Sequence, residues 1–358
     1  MGKIGGMGLR FLFLTLFLLI FSSCASKAPS YEKAKELNDI KEYEKRVHVT
    51  EIEPPPPPPP AVVEEKKPAP KTPAPKKTVK KAATPPVAPA PAPTPEPAAK
   101  KKTLKKEKLP KMEDAQGFDG RRPLNDPFRI GEKVTLDVTY FNIKAGEIDL
   151  KVNPFVEFNN KKSYAFAIDL RSYSFFSHIY SLDDHALTYV DYESLIPYNL
   201  SITIKESKQL AETRTLFDWD KNKATYWKKR YTEDHGEEKK EVSWDIKPFS
   251  QNVISALYYL RTFQLKPGKK LAYRVADEGK NIVFTGEVLR KEKLKTKVGT
   301  LDTVVVKPTV EVDGAFKPVG DILIWLTDDD RKFVVRIESK IKIGTLVAKL
   351  KSIDKGRD

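Results

Sequence analysis

Residues 134–170 read VTLDVTYFNIKAGEIDLKVNPFVEFNNKKSYAFAIDL. Val134, Leu136, Val138 and Tyr140 recur at every second position. Ile148, Leu150 and Val152 do the same after a turn expected at Lys144-Ala145-Gly146, and Tyr164, Phe166, Ile168 and Leu170 after Asn159-Asn160-Lys161. A period of two puts each set on one face of a strand. Connections this short can only join antiparallel neighbours. The stretch therefore predicts an antiparallel meander with one apolar face.

The pattern continues toward the C-terminus. Strands are expected at residues 187–189, 200–204, 213–219, 224–231, 241–246, 271–275, 283–289, 303–307, 322–326, 333–339 and 346–350. The predicted class is all-β and mainly antiparallel, a large curved sheet or partly open barrel over residues 119–358. One segment breaks the period. Residues 250–261, SQNVISALYYLR, place Val253, Leu257 and Leu260 on one helical stripe, with Ser250 as the expected N-cap and Pro267-Gly268 as the stop. This covering α-helix should pack on the concave face. A second helical turn is expected at residues 175–180.

Toward the N-terminus the composition changes. Of the 28 prolines, 18 lie between Pro54 and Pro97, and residues 61–112 carry 14 Lys and 4 Glu, a net of +10 within a chain of +15. Proline fixes φ and donates no hydrogen bond, so this stretch should be extended and disordered, reaching up to ~180 Å. Residues 24–118 are read as a tether, with a short helix expected at 31–47, where Tyr31, Ala34, Leu37, Ile40 and Tyr43 recur. Because the positive charge sits in the tether and not on a folded face, no nucleic acid is expected as a partner. Lys100, Lys101, Lys102, Lys105 and Lys106 either touch cell-wall polymer or anionic lipid, or simply solubilise the chain. The composition resembles the linker of TonB-type proteins.

Residues 1–23 read as a signal peptide. Lys3 and Arg10 precede an uncharged apolar run at residues 11–21, too short for a bilayer span of ~20 residues. Phe21-Ser22-Ser23-Cys24 resembles a lipobox, with Phe where Leu is usual. Cys24 is the only cysteine in 358 residues. Lipidation is expected at Cys24, giving an outer-membrane lipoprotein facing the periplasm, since Ala25 follows it.

Several motifs together resemble the domain of unknown function 3108 family. They are Phe128-x-x-Gly131-Glu132, Tyr140 and Ala145-Gly146; then SALYYLR with Gly268; then Trp325-x-Thr327-Asp328, Arg331, Val335, Ile337, Gly344 and Leu350. The resemblance implies an exported antiparallel β-domain of the Gram-negative envelope. It brings no activity and no catalytic residues.

Sites for chemistry are sparse. His48, His178, His185 and His235 form no pattern, and Ser177-His178 with Asp184-His185 lacks a nucleophile elbow. Asp218-x-Asp220-x-Asn222 starts like a calcium loop but has Lys223 and Lys229 where Gly and Glu are required, so a hairpin turn is expected. Asp328-Asp329-Asp330 is read as a turn. No cofactor is expected. The aromatic cluster Tyr173, Phe175, Phe176, Ile179 and Tyr180 either plugs the end of the core or lines the mouth of a cavity for an apolar ligand. The expected function is non-catalytic binding or structure in the envelope; the alternative is an envelope hydrolase acting on glycan or lipid, which a cluster of carboxylates in a cleft would favour.

Overall fold

The computed structural model describes residues 40–52, 111–114, 117–121, 123–178, 180–312, 315–317, 321–340 and 344–357. Cys24, the signal segment, most of the tether and Ile179 lie outside them. The strands are β1 (Val49–Glu51), β2 (Lys111–Asp114), β3 (Gly117–Arg121), β4 (Glu132–Tyr140), β5 (Ile143–Phe158), β6 (Lys161–Ser172), β7 (Asp183–Asp191), β8 (Asn199–Glu206) and β9 (Gln209–Asp218). They continue with β10 (Lys223–Thr232), β11 (Gly236–Asp245), β12 (Lys270–Asp277), β13 (Lys280–Thr296), β14 (Gly299–Val312), β15 (Ala315–Lys317), β16 (Asp321–Thr327), β17 (Val334–Lys340) and β18 (Thr345–Lys355). Helices are short: α1 (Lys41–Glu44), α2 (Ser174–Ser177) and α3 (Ser255–Leu260).

Among the described residues, sixteen strands make one antiparallel sheet in the order β11-β10-β9-β8-β7-β6-β5-β4-β18-β17-β16-β14-β13-β12, with β1 added to β5 and β15 to β14. The last strand, β18, pairs with β4 from Leu346↔Tyr140 to Lys355↔Glu132. The outer strands β11 and β12 do not pair with each other. The β10–β11 and β12–β13 hairpins approach through side chains: Asn281 Nδ2 of β13 donates to the Asp245 carbonyl of β11 at 2.8 Å, and Tyr226 Oη of β10 to Glu278 Oε1 in the β12–β13 turn at 3.1 Å. The sheet is a partly open barrel, as its alternation predicts.

The inward row is the one the sequence indicates. Val134, Leu136, Val138, Leu150, Val152, Tyr164 and Phe166 are all buried. The turn after β4 falls at Phe141-Asn142, both at positive φ, and not at Lys144-Ala145-Gly146. Ala145 and Gly146 lie inside β5, where a Cβ on Gly146 would stand 2.2 Å from the Arg171 carbonyl oxygen. Glycine is required there by close strand approach.

Helix α3 lies inside the curve. It starts later than expected, because Asn252 caps it and Ser250 does not: Asn252 Oδ1 accepts from the Ile254 and Ser255 amides at 3.0 and 2.8 Å. The Asn252 amide nitrogen donates to Thr188 Oγ1 at 2.8 Å, tying the cap to β7. Tyr258 stacks on Phe166 at 4.1 Å, and its hydroxyl donates to the Lys151 carbonyl at 2.8 Å. Leu260 is fully buried, while Val253 and Leu257 are only partly so. The stripe covers the concave face and leaves space beside two of its three members.

A buried ion knot holds the start of β4, the end of α3 and the β16–β17 turn. Glu132 accepts from Arg261 at 2.6 and 3.1 Å and from Arg331 at 2.7 Å. Both guanidinium groups also donate to the Pro127 carbonyl. Arg261 sits 5.3 Å over Phe128, 5.8 Å over Tyr258 and 5.5 Å over Phe333.

Residues 40–52, read from sequence as part of the tether, pack on this domain. Ile40 and Tyr43 are buried against Trp227, and β1 pairs with β5 through Val49↔Phe158 to Glu51↔Val156.

Candidate functional site

The alternation that builds the sheet also builds a cavity. On β5, β6 and β8 the inward row continues past the sealed core as Ile148, Ile168, Leu170, Ile202 and Ile204, which remain half-buried. Together with Val253 and Leu257 of the α3 region and Ile337 and Leu346 of β17 and β18, they surround a partly open cavity of about 170 Å³. An apolar cavity of ~150 Å³ admits a ring the size of benzene.

The wall on the other side is polar. Glu206 ends β8 in phase with Leu200, Ile202 and Ile204, and Gln209, Thr213 and Thr215 of β9 follow across the sheet. Tyr226 and Lys228 of β10 and Asp277 and Glu278 at the end of β12 complete it. Asp184, from the start of β7, lies beside Glu206. Glu206 accepts from Tyr180 Oη at 2.6 Å and Gln209 Nε2 at 2.7 Å, and Asp184 accepts from the Lys205 amide at 3.0 Å. Burial, then the adjacent Glu206 carboxylate, pushes Asp184 up to about 8; burial raises Glu206 too. Asp277 is raised to about 8 by burial and then by Glu278. Burial lowers the Lys228 ammonium. At neutral pH Asp184 and Asp277 are disposed toward their uncharged forms, which suits a wall beside aliphatic side chains.

The cavity thus holds a cluster of carboxyls, with Asp184 beside Glu206 and Asp277 beside Glu278. Among the described residues no group of three His, Cys, Asp or Glu is disposed to hold a metal ion. The hairpin expected at Asp218–Asn222 is present, with Asp218 accepting from the Lys221 side chain at 2.7 Å. Asp329 closes a turn by accepting from the Arg331 and Lys332 amides at 3.0 and 2.8 Å. His178 Nδ1 lies 2.7 Å from the Ser174 carbonyl, whereas His185 pairs with Asp169 at 2.5 Å; they do not assemble a triad.

The aromatic cluster is dispersed, and its described members are not among the cavity's lining residues. Tyr173 donates to Asp137 at 2.6 Å on the outward row, and burial with this contact raises its hydroxyl to about 12. Phe175 is 75% exposed and Phe176 half-buried. Tyr180 is buried and reaches the polar wall only through Glu206. Ile179 lies outside the described residues. Of the cavity's polar residues the sequence singles out Asp184 and His185, which line it without Ser177 or His178; for the rest a signal exists in Glu206 and Lys228, charged residues standing in phase with apolar inward rows.

No curated protein matches the sequence. In backbone the chain is similar to a β-barrel-like protein of the DUF1849 family from Brucella abortus, with 11% identity, a TM-score of 0.40 and coverage of 64% of this chain and 99% of that one. It is also similar to a Bacteroides fragilis protein of YmcC-like fold thought to be exported, with 9% identity, a TM-score of 0.29 and coverage of 64% and 98%. A family model described as a protein of unknown function, DUF3108, matches residues 135–351. The motifs that resemble this family fall largely on the ion knot and the strands beside it: Phe128 and Glu132 before and at the start of β4, Tyr258 and Arg261 at α3, and Arg331 after β16. The chain belongs to the DUF3108 family.

Proposed function

We propose that this domain binds a single-chain amphiphile non-catalytically in the bacterial envelope. The observation that carries the reading is the two-sided cavity, with aliphatic residues of β5, β6, β8, β17 and β18 on one side and hydrogen-bonding groups of β9, β10 and β12 on the other. An acyl chain would lie along Ile168, Ile202 and Leu257, its polar end toward Thr213 and Tyr226. Burying such a chain gains about 0.8 kcal/mol per methylene.

The setting proposed is an outer-membrane lipoprotein facing the periplasm. It rests on the lipobox-like residues 21–24 and the absence of other cysteines. Lysines of the Pro-rich segment would meet cell-wall polymer or anionic lipid. Fatty-acid labelling of wild type and not of Cys24→Ser tests the anchor.

The binding test is uptake of a fluorescent fatty-acid probe, with mass spectrometry of what native protein carries. Ile202→Asp should abolish uptake with the fold intact. Absence of both bound lipid and probe uptake in wild type would overturn the reading. The carboxyl cluster is the feature that favours a hydrolase, and hydrolysis of an acyl or glycosyl ester by wild type, lost in Asp184→Asn, would establish it.

A further inference from the structure

Between residue 40 and residue 52 the chain crosses the outward face of the sheet. Tyr43 accepts a hydrogen bond from Asn199 Nδ2 of β8 at 2.8 Å, lies edge-on to Trp227 of β10 at 6.3 Å, and has Arg214 of β9 over its ring at 6.0 Å. Arg46 stands 5.7 Å over Trp227. The chain then reaches the β5–β6 turn, where Asn159 grips it three times. Its side chain accepts from the His48 amide at 2.8 Å and donates to the Arg46 carbonyl at 3.1 Å, and its own amide donates to the His48 carbonyl at 2.8 Å. Finally β1 fills the edge of β5 at residues 156–158, beyond the last β4 partner at Lys151.

Two facts follow from the alternation of a strand. Asn199, Arg214 and Trp227 face outward, and their neighbours Leu200, Thr213, Thr215, Tyr226 and Lys228 line the cavity. The segment is therefore seated on the back of the cavity's polar wall. That wall belongs to the half of the sheet whose edge, β11, has no ladder partner on its far side among the described residues. Residues 40–52 also belong to the same compact unit as β4–β18.

We infer that residues 40–52 are an outer strap integral to the β-domain, bracing β8–β10 from behind, so that the Pro- and Lys-rich segment after it is a loop starting and ending on the domain and not a spacer leading to it. The chain between residue 24 and the strap can span at most ~55 Å. The domain then stands close to whatever holds residue 24, whatever the length of the Pro-rich segment.

The test uses the full chain in detergent, with a sequence-specific protease site inserted among residues 53–110 and a C-terminal affinity tag. After complete cutting, capture by the tag should retain the N-terminal fragment. Its loss to the flow-through would overturn the inference, as a spacer has no hold on the domain. Tyr43→Ser should reduce the retained fragment at least tenfold, while Phe175→Ser leaves it unchanged; equal retention in both would also overturn it. In the uncut chain Tyr43→Ser should speed amide hydrogen exchange in β8–β10 and leave β16–β18 at the wild-type rate, which shows that the variant is folded. Unchanged exchange in β8–β10 would refute bracing. None of these readouts involves a ligand, so they stand apart from the amphiphile reading.

Discussion

Buried charge occurs in two regions of this barrel and is arranged in opposite ways. At the start of β4, Glu132 meets two guanidinium groups, and Pro127 and Arg331 carbonyls take further donors of Arg261. At the cavity, Asp184 and Glu206 meet each other, and Asp277 lies beside Glu278. The first set is paired by opposite charge and closed over by Phe128, Tyr258 and Phe333. In the second, Glu206 is held by the Tyr180 hydroxyl and the Gln209 side-chain amide, and the set borders space. A saturated ion knot fixes three chain segments in register. Asp184 and Asp277, raised by burial, can instead face an apolar guest without presenting it with full charges.

The comparison can be broken at its closed side first. Glu132→Ala strands two arginines in an aromatic pocket and should cost about 3–5 kcal/mol in denaturant unfolding. Adding Arg261→Met to that variant should recover part of the loss, because removing both charges removes the unpaired one. At the cavity, Leu257→Asp should cost less, about 1–3 kcal/mol, because this side chain borders open space, and it should abolish uptake of a fatty-acid probe. Were Leu257→Asp as damaging as Glu132→Ala, the space beside α3 would not be solvated.

Asp184 sharpens the comparison through pH. Its folded carboxyl is raised to about 8 and its unfolded one lies near 3.8. The folded state therefore holds a proton that the unfolded state has lost between these limits. Its stabilisation is full below about 4 and disappears as pH rises to about 8. Asp184→Asn should flatten that part of the wild-type melting profile; an unchanged slope between pH 5 and 8 would remove Asp184 from the account. Asp137 and Asp169 act in the opposite sense. Lysine contacts on Asp137, and His185 first on Asp169, lower their carboxyls, so their contributions are lost as pH falls below about 4. The smallest effect is expected for Phe175→Ser, within about 0.5 kcal/mol of wild type, because its side chain meets water.

How much of this could be read from the chain follows from what a local pattern encodes. The period of two in residues 134–170 reports which side chains face the core, and the inward row matches. It does not report where the core ends: Val152 and Ile148 look alike in sequence, yet one is sealed and the other borders the cavity. The covering helix was legible from its stripe, but its cap was not, since Asn252 is chosen by a tertiary bond to Thr188. Tyr173 and Phe176 look like a pocket because aromatic residues crowd together, whereas they sit in the β6–β7 connection, on and beside the one-turn helix α2, away from the cavity's lining. Ile40 and Tyr43 read locally only as the end of an apolar stripe on a short helix of the tether, and nothing local could name Trp227, more than 180 residues away, as their partner.

The pairing of β18 with β4 also sets an order of events. Each half of the sheet, β4–β11 and β12–β18, is a run of mostly local strand neighbours, and local contacts form early at little entropic cost. The seam between the halves joins Lys355 to Glu132 and Leu346 to Tyr140, so it waits for the final strand of the chain. Until that strand arrives, β4 presents an unpaired edge, and unpaired edges recruit other chains. A chain cut short before β18 should therefore accumulate as half-sheets prone to associate with one another. The seam would be the last part of the barrel to close.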